Sequence, residues 1–222
     1  MPTKPTPTFI LAICIAACSA MMAHAKESQF NEVLSVGEAA PSFSDLSGID
    51  GKKHSLGEYK DAKAVVIVFT SNTCPVATAY DDRLVALQKE YSKRGVQLVA
   101  ICSNFESGHD LDTLTAHAKS KHYNFPYLQD ADQKTGRAYG ASHTPHGFLL
   151  DGDRKIAYMG AIDDSDDPKK AAKHYLRDAI EAVLTAKSPA STEVQPFGCR
   201  TRYKRVASPR SATKSAAATE SN

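Results

Sequence analysis

The side chain best placed for chemistry is Cys74. It lies between an apolar run at residues 65–69 and a helical pattern, and Pro75 follows it directly. A cysteine at the start of a helix lies among unpaired backbone N–H groups at the positive end of the helix dipole, which favours the nucleophilic thiolate. We therefore predict that Cys74 is a reactive sulfur at the start of a helix that Asn72 or Thr73 caps.

The elements that would position Cys74 follow a β-α-β order. Residues 65–69 and 98–102 form short, β-branched apolar runs typical of strands that are covered on both faces. Between them, apolar side chains recur at spacings of three and four from Val76 to Tyr91, which predicts a helix. Such a unit crosses over right-handed into a parallel pair of strands.

The rest of the chain predicts an α/β fold, in which helices sandwich a mixed central sheet. The further elements follow from turn signals, helical spacing and caps: an N-terminal β-hairpin in 36–60, helices over 110–122 and 133–139, an antiparallel hairpin of 147–151 with 155–159, and a last helix that starts at Asp167 and buries Ala172. We detect no internal repeat.

The first 25 residues resemble an export signal. Lys4 gives a positive start, and residues 9–22 form an apolar run of signal-peptide length, short for a membrane-spanning helix. An A-x-A cleavage site ends at Ala25. Alternatively, Cys18 ends a lipoprotein-like motif and would carry a lipid that attaches the protein to the membrane, or the segment is an uncleaved anchor. All three predict a periplasmic or secreted protein, where disulfides persist.

The predicted domain spans residues 26–187 and is followed by a basic tail that carries Cys199. Residues 26–187 have a net charge of −3, and residues 188–222 have a net charge of +4. The tail is rich in Ser, Ala and Thr without a hydrophobic period. We predict that it is mostly disordered, from about residue 206 on. Its few charges are weak evidence of a nucleic-acid partner, and none is predicted.

Several motifs resemble those of the AhpC/TSA-type redoxins, the peroxiredoxin-like and thioredoxin-like proteins. They are GEAAPSF at 37–43, FTSNTC at 69–74, Thr144-Pro145, IDD at 162–164 and Gly198-Cys199. The pattern is similar to that of a bacterial peroxiredoxin-like subgroup and covers about residues 34–186. The resemblance implies a thioredoxin-like fold and an antioxidant thiol oxidoreductase that acts on a peroxide or a protein disulfide. It implies an external thiol reductant and no cofactor.

Two spacings in the chain distinguish a thioredoxin-like from a peroxiredoxin-like site. Cys74 follows Phe69 by five residues, as the first active-site cysteine of thioredoxins does, whereas a peroxidatic cysteine stands further on. The peroxide-activating arginine of peroxiredoxins would stand three residues before Phe148, where this chain has Pro145. Thioredoxins have a cis-proline there, beside the active cysteine. The resemblance thus implies that Thr144 and Pro145 form a cis-proline loop at the site.

Cys199 is the second thiol that could react. A thiol one helical turn after Cys74 would stand at position 77, which is Ala77, so a mixed disulfide on Cys74 needs a resolving thiol from elsewhere. Cys199 lies in the segment PFGCR at 196–200, whose phenylalanine could dock on the domain and whose glycine permits a turn. We predict that Cys199 resolves or pairs with Cys74. A free tail cysteine, or one that pairs between chains, is the alternative.

The remaining candidate ligands and acids leave other functions open. His143 and His146 flank the Thr-Pro motif and could bind a soft metal such as copper together with Cys74, or stabilise a thiolate, although loop histidines are more often solvated. A non-catalytic redoxin-like binding module is a further alternative. Cys102 ends an apolar strand and is predicted to pack in the core. The acids at 163–164 are predicted to lie in a solvated turn.

Overall fold

A computed structural model describes residues 28–205. The predicted export signal and the predicted disorder from residue 206 on lie outside this range. The strands are β1 Leu46–Gly48, β2 Lys53–His54, β3 Ala64–Phe69, β4 Val96–Cys102, β5 Tyr127–Gln129, β6 His143–Thr144, β7 His146–Leu150, β8 Ile156–Gly160, β9 Glu193–Val194 and β10 Cys199–Arg200. The helices are α1 Pro75–Thr78, α2 Asp81–Tyr91, α3 Leu111–Ser120, α4 Lys134–Ala138 and α5 Tyr175–Leu184, with 3-10 turns at Leu56–Tyr59 and Ser92–Arg94.

Eight strands form one mixed sheet in the order β2-β1-β5-β4-β3-β7-β8-β9. β3 runs parallel to β4, and β4 runs parallel to β5. β7 is antiparallel to β3 and to β8, and the β1–β2 hairpin extends the sheet at one edge. This arrangement confirms the predicted thioredoxin-like α/β fold. Among residues 28–205, no helix is long and apolar enough to cross a membrane.

The central strand β3 is buried on both faces, which explains its unalternating apolar sequence. Val66 and Val68 point into a core cluster that contains buried side chains of α2, α3 and α5. Ile67 and Phe69 point into the opposite cluster, which the N-terminal segment and Tyr139 cover. Burying a side chain of this size on folding stabilises the folded state by about 1.5–3 kcal/mol. The end of β3 that leads to Cys74 therefore belongs to a strand that is buried along its whole length.

Two helices differ from their predicted bounds. The helix expected over 76–91 is divided into α1 and α2 at Tyr80, which is fully buried and donates from its hydroxyl to the Ser165 carbonyl at 2.9 Å. The last helix begins at Tyr175, so the prediction of a start at Asp167 is wrong and Ala172 is exposed. Asp167 caps only a turn, and a carboxylate oxygen of the nearby Asp164 accepts the backbone N–H groups of residues 172 and 173. These side-chain bonds take donors that a helix would use.

The segment 188–205 is packed on the domain, which corrects the boundary predicted at residue 187. β9 pairs in parallel with β8, and β10 pairs antiparallel with β6. Phe197 packs against the core cluster that contains Val66 and Val68, as its sequence context suggested. Backbone pairing attaches this segment, whereas the disorder predicted from about residue 206 on lies outside the described residues. From here on, residues 196–205 are called the strap.

Candidate active site

Cys74 lies where the chain leaves β3 and enters α1. The cysteine is itself the N-cap residue, with an extended backbone (φ −89°, ψ 116°), and its Sγ accepts the N–H of Ala77 at 3.4 Å. Pro75 occupies the first helical position, as predicted. Because α1 is a single turn, this local N–H, rather than a long helix dipole, acts on the sulfur.

The prediction that Asn72 or Thr73 caps the helix is wrong, because both side chains bond elsewhere. The amide of Asn72 donates to the Gly108 carbonyl at 2.8 Å. Thr73 Oγ1 and Ser71 Oγ both contact Nε2 of the buried His109, at 3.0 and 2.8 Å. These bonds fasten the Cys74 loop to the loop that precedes α3.

The Thr144–Pro145 loop lies directly against Cys74. The peptide bond between the two residues is cis. Thr144 is buried, and its carbonyl oxygen accepts a hydrogen bond from the Cys74 thiol, with 3.1 Å between sulfur and oxygen. The structure therefore brings together the cysteine and the loop that the motif resemblance placed at one site.

Cys199 reaches the same point from the strap. In the β10–β6 ladder it lies opposite Thr144. Gly198 has φ +126°, and a Cβ there would lie 2.3 Å from the Thr144 oxygen, so this close approach requires glycine. Cys74 and Cys199 are both free thiols, and the two thiols interact with each other. Cys74 is only 3% exposed, whereas Cys199 is half-buried.

The pKa values of the two thiols move in opposite directions. Burial alone would raise the pKa of Cys74, but hydrogen bonds from the Cys199 thiol, the Thr144 side chain and the N–H groups of Ala77 and Cys199 lower it below the ordinary value. Burial and the interaction with Cys74 raise the pKa of Cys199 to about 11. Because the thiolate is the attacking form, these opposite shifts favour Cys74 over Cys199 as a nucleophile.

Comparison with known proteins gives the family. The profile of the redoxin family matches residues 35–176. The chain belongs to the redoxin family. The thiol-disulfide oxidoreductase ResA of Geobacillus thermodenitrificans is 27% identical over 149 residues, which cover 67% of this chain and 82% of ResA. Family membership and this relative support an oxidoreductase activity of the thiol-disulfide type.

Two solved structures are similar to this redoxin over most of their length. A hypothetical protein from Sinorhizobium meliloti is 32% identical with a TM-score of 0.74, and the match covers 79% of this chain and 98% of the other. An uncharacterized conserved protein from Geobacillus kaustophilus is 31% identical with a TM-score of 0.74, and the match covers 80% and 96%. The fold is therefore shared over nearly the whole length of the two solved structures and over 79–80% of this chain.

His143 and His146 do not join Cys74 in a metal site. His146 is buried, its ring lies 4.4 Å from that of Phe148, and its Nδ1 accepts the N–H of Ser142 at 3.3 Å. Burial lowers the pKa of His146 to about 3, so the ring is neutral. Within residues 28–205, no group of three or more His, Cys, Asp or Glu residues could hold a metal ion. The proposed ligand set of Cys74, His143 and His146 is therefore not assembled.

Cys102 lies where the sequence predicts, whereas Asp163 does not. Cys102 is fully buried at the end of β4, and burial raises the pKa of its thiol to about 11, which confirms a core role. The solvated turn predicted for Asp163 is wrong, because this carboxylate is buried. One of its oxygens lies 2.6 Å from Arg83, and the other lies 3.0 Å from His174. Asp164 is the residue that binds the turn backbone.

Sequence reasoning missed two residues that hold the strap in place. Gln133 and Asn104 are buried polar side chains whose amide groups bond to the backbone of the strap. Neither belongs to a motif, and neither is near Cys74 or Cys199 in the sequence. A buried amide that bonds backbone leaves no pattern of residue types along the chain, so no sequence signal identified them.

Proposed function

We propose that this redoxin is an exported thiol-disulfide oxidoreductase whose active pair is Cys74 and Cys199. The observation that carries the proposal is the shared contact at Thr144. Its carbonyl faces the Cys74 thiol, and it pairs through the β10–β6 ladder with Cys199. This geometry supplies within one chain the second thiol that α1 lacks.

The reaction proceeds in two exchanges. The Cys74 thiolate attacks one sulfur of a substrate disulfide, which forms a mixed disulfide and releases the other substrate sulfur as a thiolate. Cys199 then loses its proton and attacks Cys74 Sγ, which forms the Cys74–Cys199 disulfide and releases the second substrate thiol. The substrate is reduced to two thiols while the protein pair is oxidised, and an external thiol reductant restores the pair.

The order of the two steps follows from the coupling between the thiols. While Cys74 is ionised, its hydrogen bond and negative charge help to raise the pKa of Cys199, which keeps the second thiol protonated. Once Cys74 is bound in a mixed disulfide, that charge is gone. Cys199 then ionises more readily, at the stage where its attack is needed.

A peroxide is the second candidate substrate, and the burial of Cys74 favours it. With only 3% of Cys74 exposed, a small oxidant reaches the sulfur more easily than a protein disulfide does while the strap is docked. The Cys74 thiolate would attack one peroxide oxygen, which gives a sulfenic acid and, after protonation, water. Cys199 would then displace a second water as the disulfide forms. Against a peroxide substrate, Pro145 stands where the resemblance places the peroxide-activating arginine of peroxiredoxins.

Turnover measurements test this proposal. Reduction of a disulfide substrate and of hydrogen peroxide is followed with dithiothreitol as the reductant, for the wild type and for Cys74→Ser, Cys199→Ser and Cys102→Ala. We expect Cys74→Ser to abolish turnover of at least one substrate, and Cys102→Ala to retain it because that thiol lies in the core. Unchanged turnover in Cys74→Ser would exclude Cys74 as the nucleophile.

Export is the part of the proposal that rests on the N-terminal sequence. The signal-like first 25 residues support a periplasmic or secreted location. Cell fractionation of the full-length chain, with mass measurement of its mature N-terminus, separates the alternatives. Cleavage after Ala25, a lipid on Cys18 and an intact N-terminus give three different masses, and recovery of the intact chain in the cytoplasm would contradict export.

A further inference from the structure

Two buried side-chain amides grip the strap a few residues beyond Cys199. Gln133 Nε2 donates to the Arg202 carbonyl at 2.8 Å, and Gln133 Oε1 accepts the N–H of Lys204 at 2.8 Å. Asn104 Oδ1 accepts the N–H of Arg202 at 2.9 Å. The two amides therefore bond the backbone of the strap as a neighbouring β-strand would. We call Gln133 and Asn104 the amide clamp.

The domain fixes Gln133 of the clamp through bonds that do not involve the strap. Gln133 is 2% exposed, and its Nε2 also donates to the Ser103 carbonyl at 2.6 Å. The turn that carries Gln133 is organised by the buried carboxylate of Asp130, which accepts the N–H groups of Thr135 and Gly136 at 3.2 and 2.8 Å. A side chain bonded in this way is held in one orientation before the strap arrives.

The strap continues this docking on either side of the clamped residue. Thr201 N–H donates to the Ser142 carbonyl at 3.0 Å, and the Tyr203 hydroxyl donates to the Ala141 carbonyl at 2.7 Å. A Cβ on Gly136 would lie 2.6 Å from that hydroxyl, so glycine leaves the room that Tyr203 occupies. The clamped residues 202 and 204 are themselves exposed. The clamp therefore recognises the backbone of the strap rather than its charged side chains.

We propose that Gln133 and Asn104 are positioning residues of the redox pair: by clamping the strap they hold Cys199 against Cys74 and keep Cys74 covered from outside reagents. This inference rests on the proposed Cys74–Cys199 pair. A docked strap presents Cys199 at a high effective concentration, whereas a released strap leaves Cys74 open to substrate. The clamp thus sets how Cys74 divides its reaction between the internal thiol and an external partner.

Alkylation of the reduced protein measures this positioning directly. Iodoacetamide rates at Cys74 are determined by peptide mass mapping across a pH series. Gln133→Met removes two hydrogen bonds to the strap. We expect the fraction of molecules with a released strap to rise roughly tenfold or more. The limiting rate of Cys74 alkylation at high pH should rise by the same factor. The pKa of Cys74 is expected to rise in the same variant, because the Cys199 thiol and N–H that lower it are withdrawn.

Matched variants separate positioning from general loss of stability. Asn104→Leu removes the acceptor for the Arg202 N–H, whereas Asn104→Asp keeps it, so we expect Leu to raise the Cys74 rate and Asp to restore it toward wild type. Gln88→Met is the control. Gln88 is also buried, and its Oε1 accepts the Leu98 N–H at 2.6 Å, away from the strap. If Gln133→Met fails to fold, the Asn104 pair carries the test.

Two results would overturn the inference. In the first, Gln88→Met raises the Cys74 rate as much as the clamp variants do. In the second, the clamp variants leave both the rate and its pH profile unchanged. Since the alkylation is read on reduced protein without turnover, a failure here is distinct from a failure of the proposed activity.

Discussion

Cys199 lies directly opposite Thr144 in the two-residue ladder between β10 and β6. The carbonyl oxygen of Thr144 accepts the Cys74 thiol hydrogen bond at 3.1 Å, so one residue of the cis-proline loop contacts both Cys74 and Cys199. A second thiol in a redoxin can therefore arrive on a strand from the C-terminal segment. In this chain Ala77 stands one turn along the helix, and we propose that Cys199 supplies the second thiol instead.

Removing the Cys199 thiol is expected to raise the pKa of Cys74. The Cys199 thiol is a hydrogen-bond partner that stabilises the Cys74 thiolate, and Cys199→Ala deletes it. The measurement is the pH dependence of iodoacetamide alkylation. Wild type should titrate below the ordinary ~8.5 of a free cysteine, and the variant should titrate higher. Cys199→Ser, which keeps a hydroxyl donor, should lie between them. Identical profiles in all three proteins would show that the two thiols are not coupled.

Gly198→Ala is expected to slow formation of the Cys74–Cys199 disulfide severalfold. Gly198 has φ +126°, and a Cβ would lie 2.3 Å from the backbone oxygen of Thr144, so the strap must move away. The rate is followed by mass spectrometry after addition of a mild oxidant. Gly57→Ala is the control, because a Cβ at Gly57 meets nothing within 4 Å. Equal rates in the Gly198→Ala variant and wild type would argue against the strap geometry.

His146 is expected to make the fold sensitive to acid. Its pKa is lowered to about 3 in the folded protein by burial, against ~6.5 in an unfolded chain. Because the unfolded state binds the proton first, the free energy of unfolding should fall as the pH drops from about 6.5 toward 3. Denaturant titrations at several pH values should show a flatter dependence for His146→Gln. The exposed His122→Asn serves as control, and the same slope in His146→Gln as in wild type would contradict the prediction.

Loss of the Asp163 carboxylate is expected to destabilise the domain by about 3 kcal/mol, since Arg83 would be left without its buried partner. The Arg83–Asp163 contact of 2.6 Å has one side chain nearly fully buried. Urea unfolding of Asp163→Ala measures the loss. The comparison is Glu90→Ala, which breaks a more exposed pair with Arg177 and should cost less than about 1 kcal/mol. Equal losses would mean that burial does not distinguish the two ion pairs.

The sequence was most informative where side-chain chemistry and burial agree. β3 and β4 could be predicted because burial on both faces demands an unbroken apolar run. The position of Cys74 at the start of a helix could be predicted because it follows such a strand and precedes Pro75. The start of α5 was missed because the carboxylate of Asp164 takes backbone donors upstream of it. That competition depends on a fold that the local sequence does not contain.

The strap shows why the rest of the site could not be predicted. β10 is held by backbone pairing with β6, and backbone groups are the same in every residue. The clamp residues Gln133 and Asn104 bond the backbone of Arg202, which lies 69 and 98 residues further along the chain. The basic, Ser- and Ala-rich composition predicted a tail outside the domain. Residues 193–200 are instead attached by backbone pairing, about which composition carries no information.

Peptide mapping of the non-reduced protein after mild oxidation shows directly which of the three thiols pair. We expect the dominant product to be an intramolecular disulfide between Cys74 and Cys199 in monomeric protein, with Cys102 still a free thiol. A protein that oxidises to a sulfinic acid at Cys74, or to a disulfide between chains, while Cys199 stays free would contradict it.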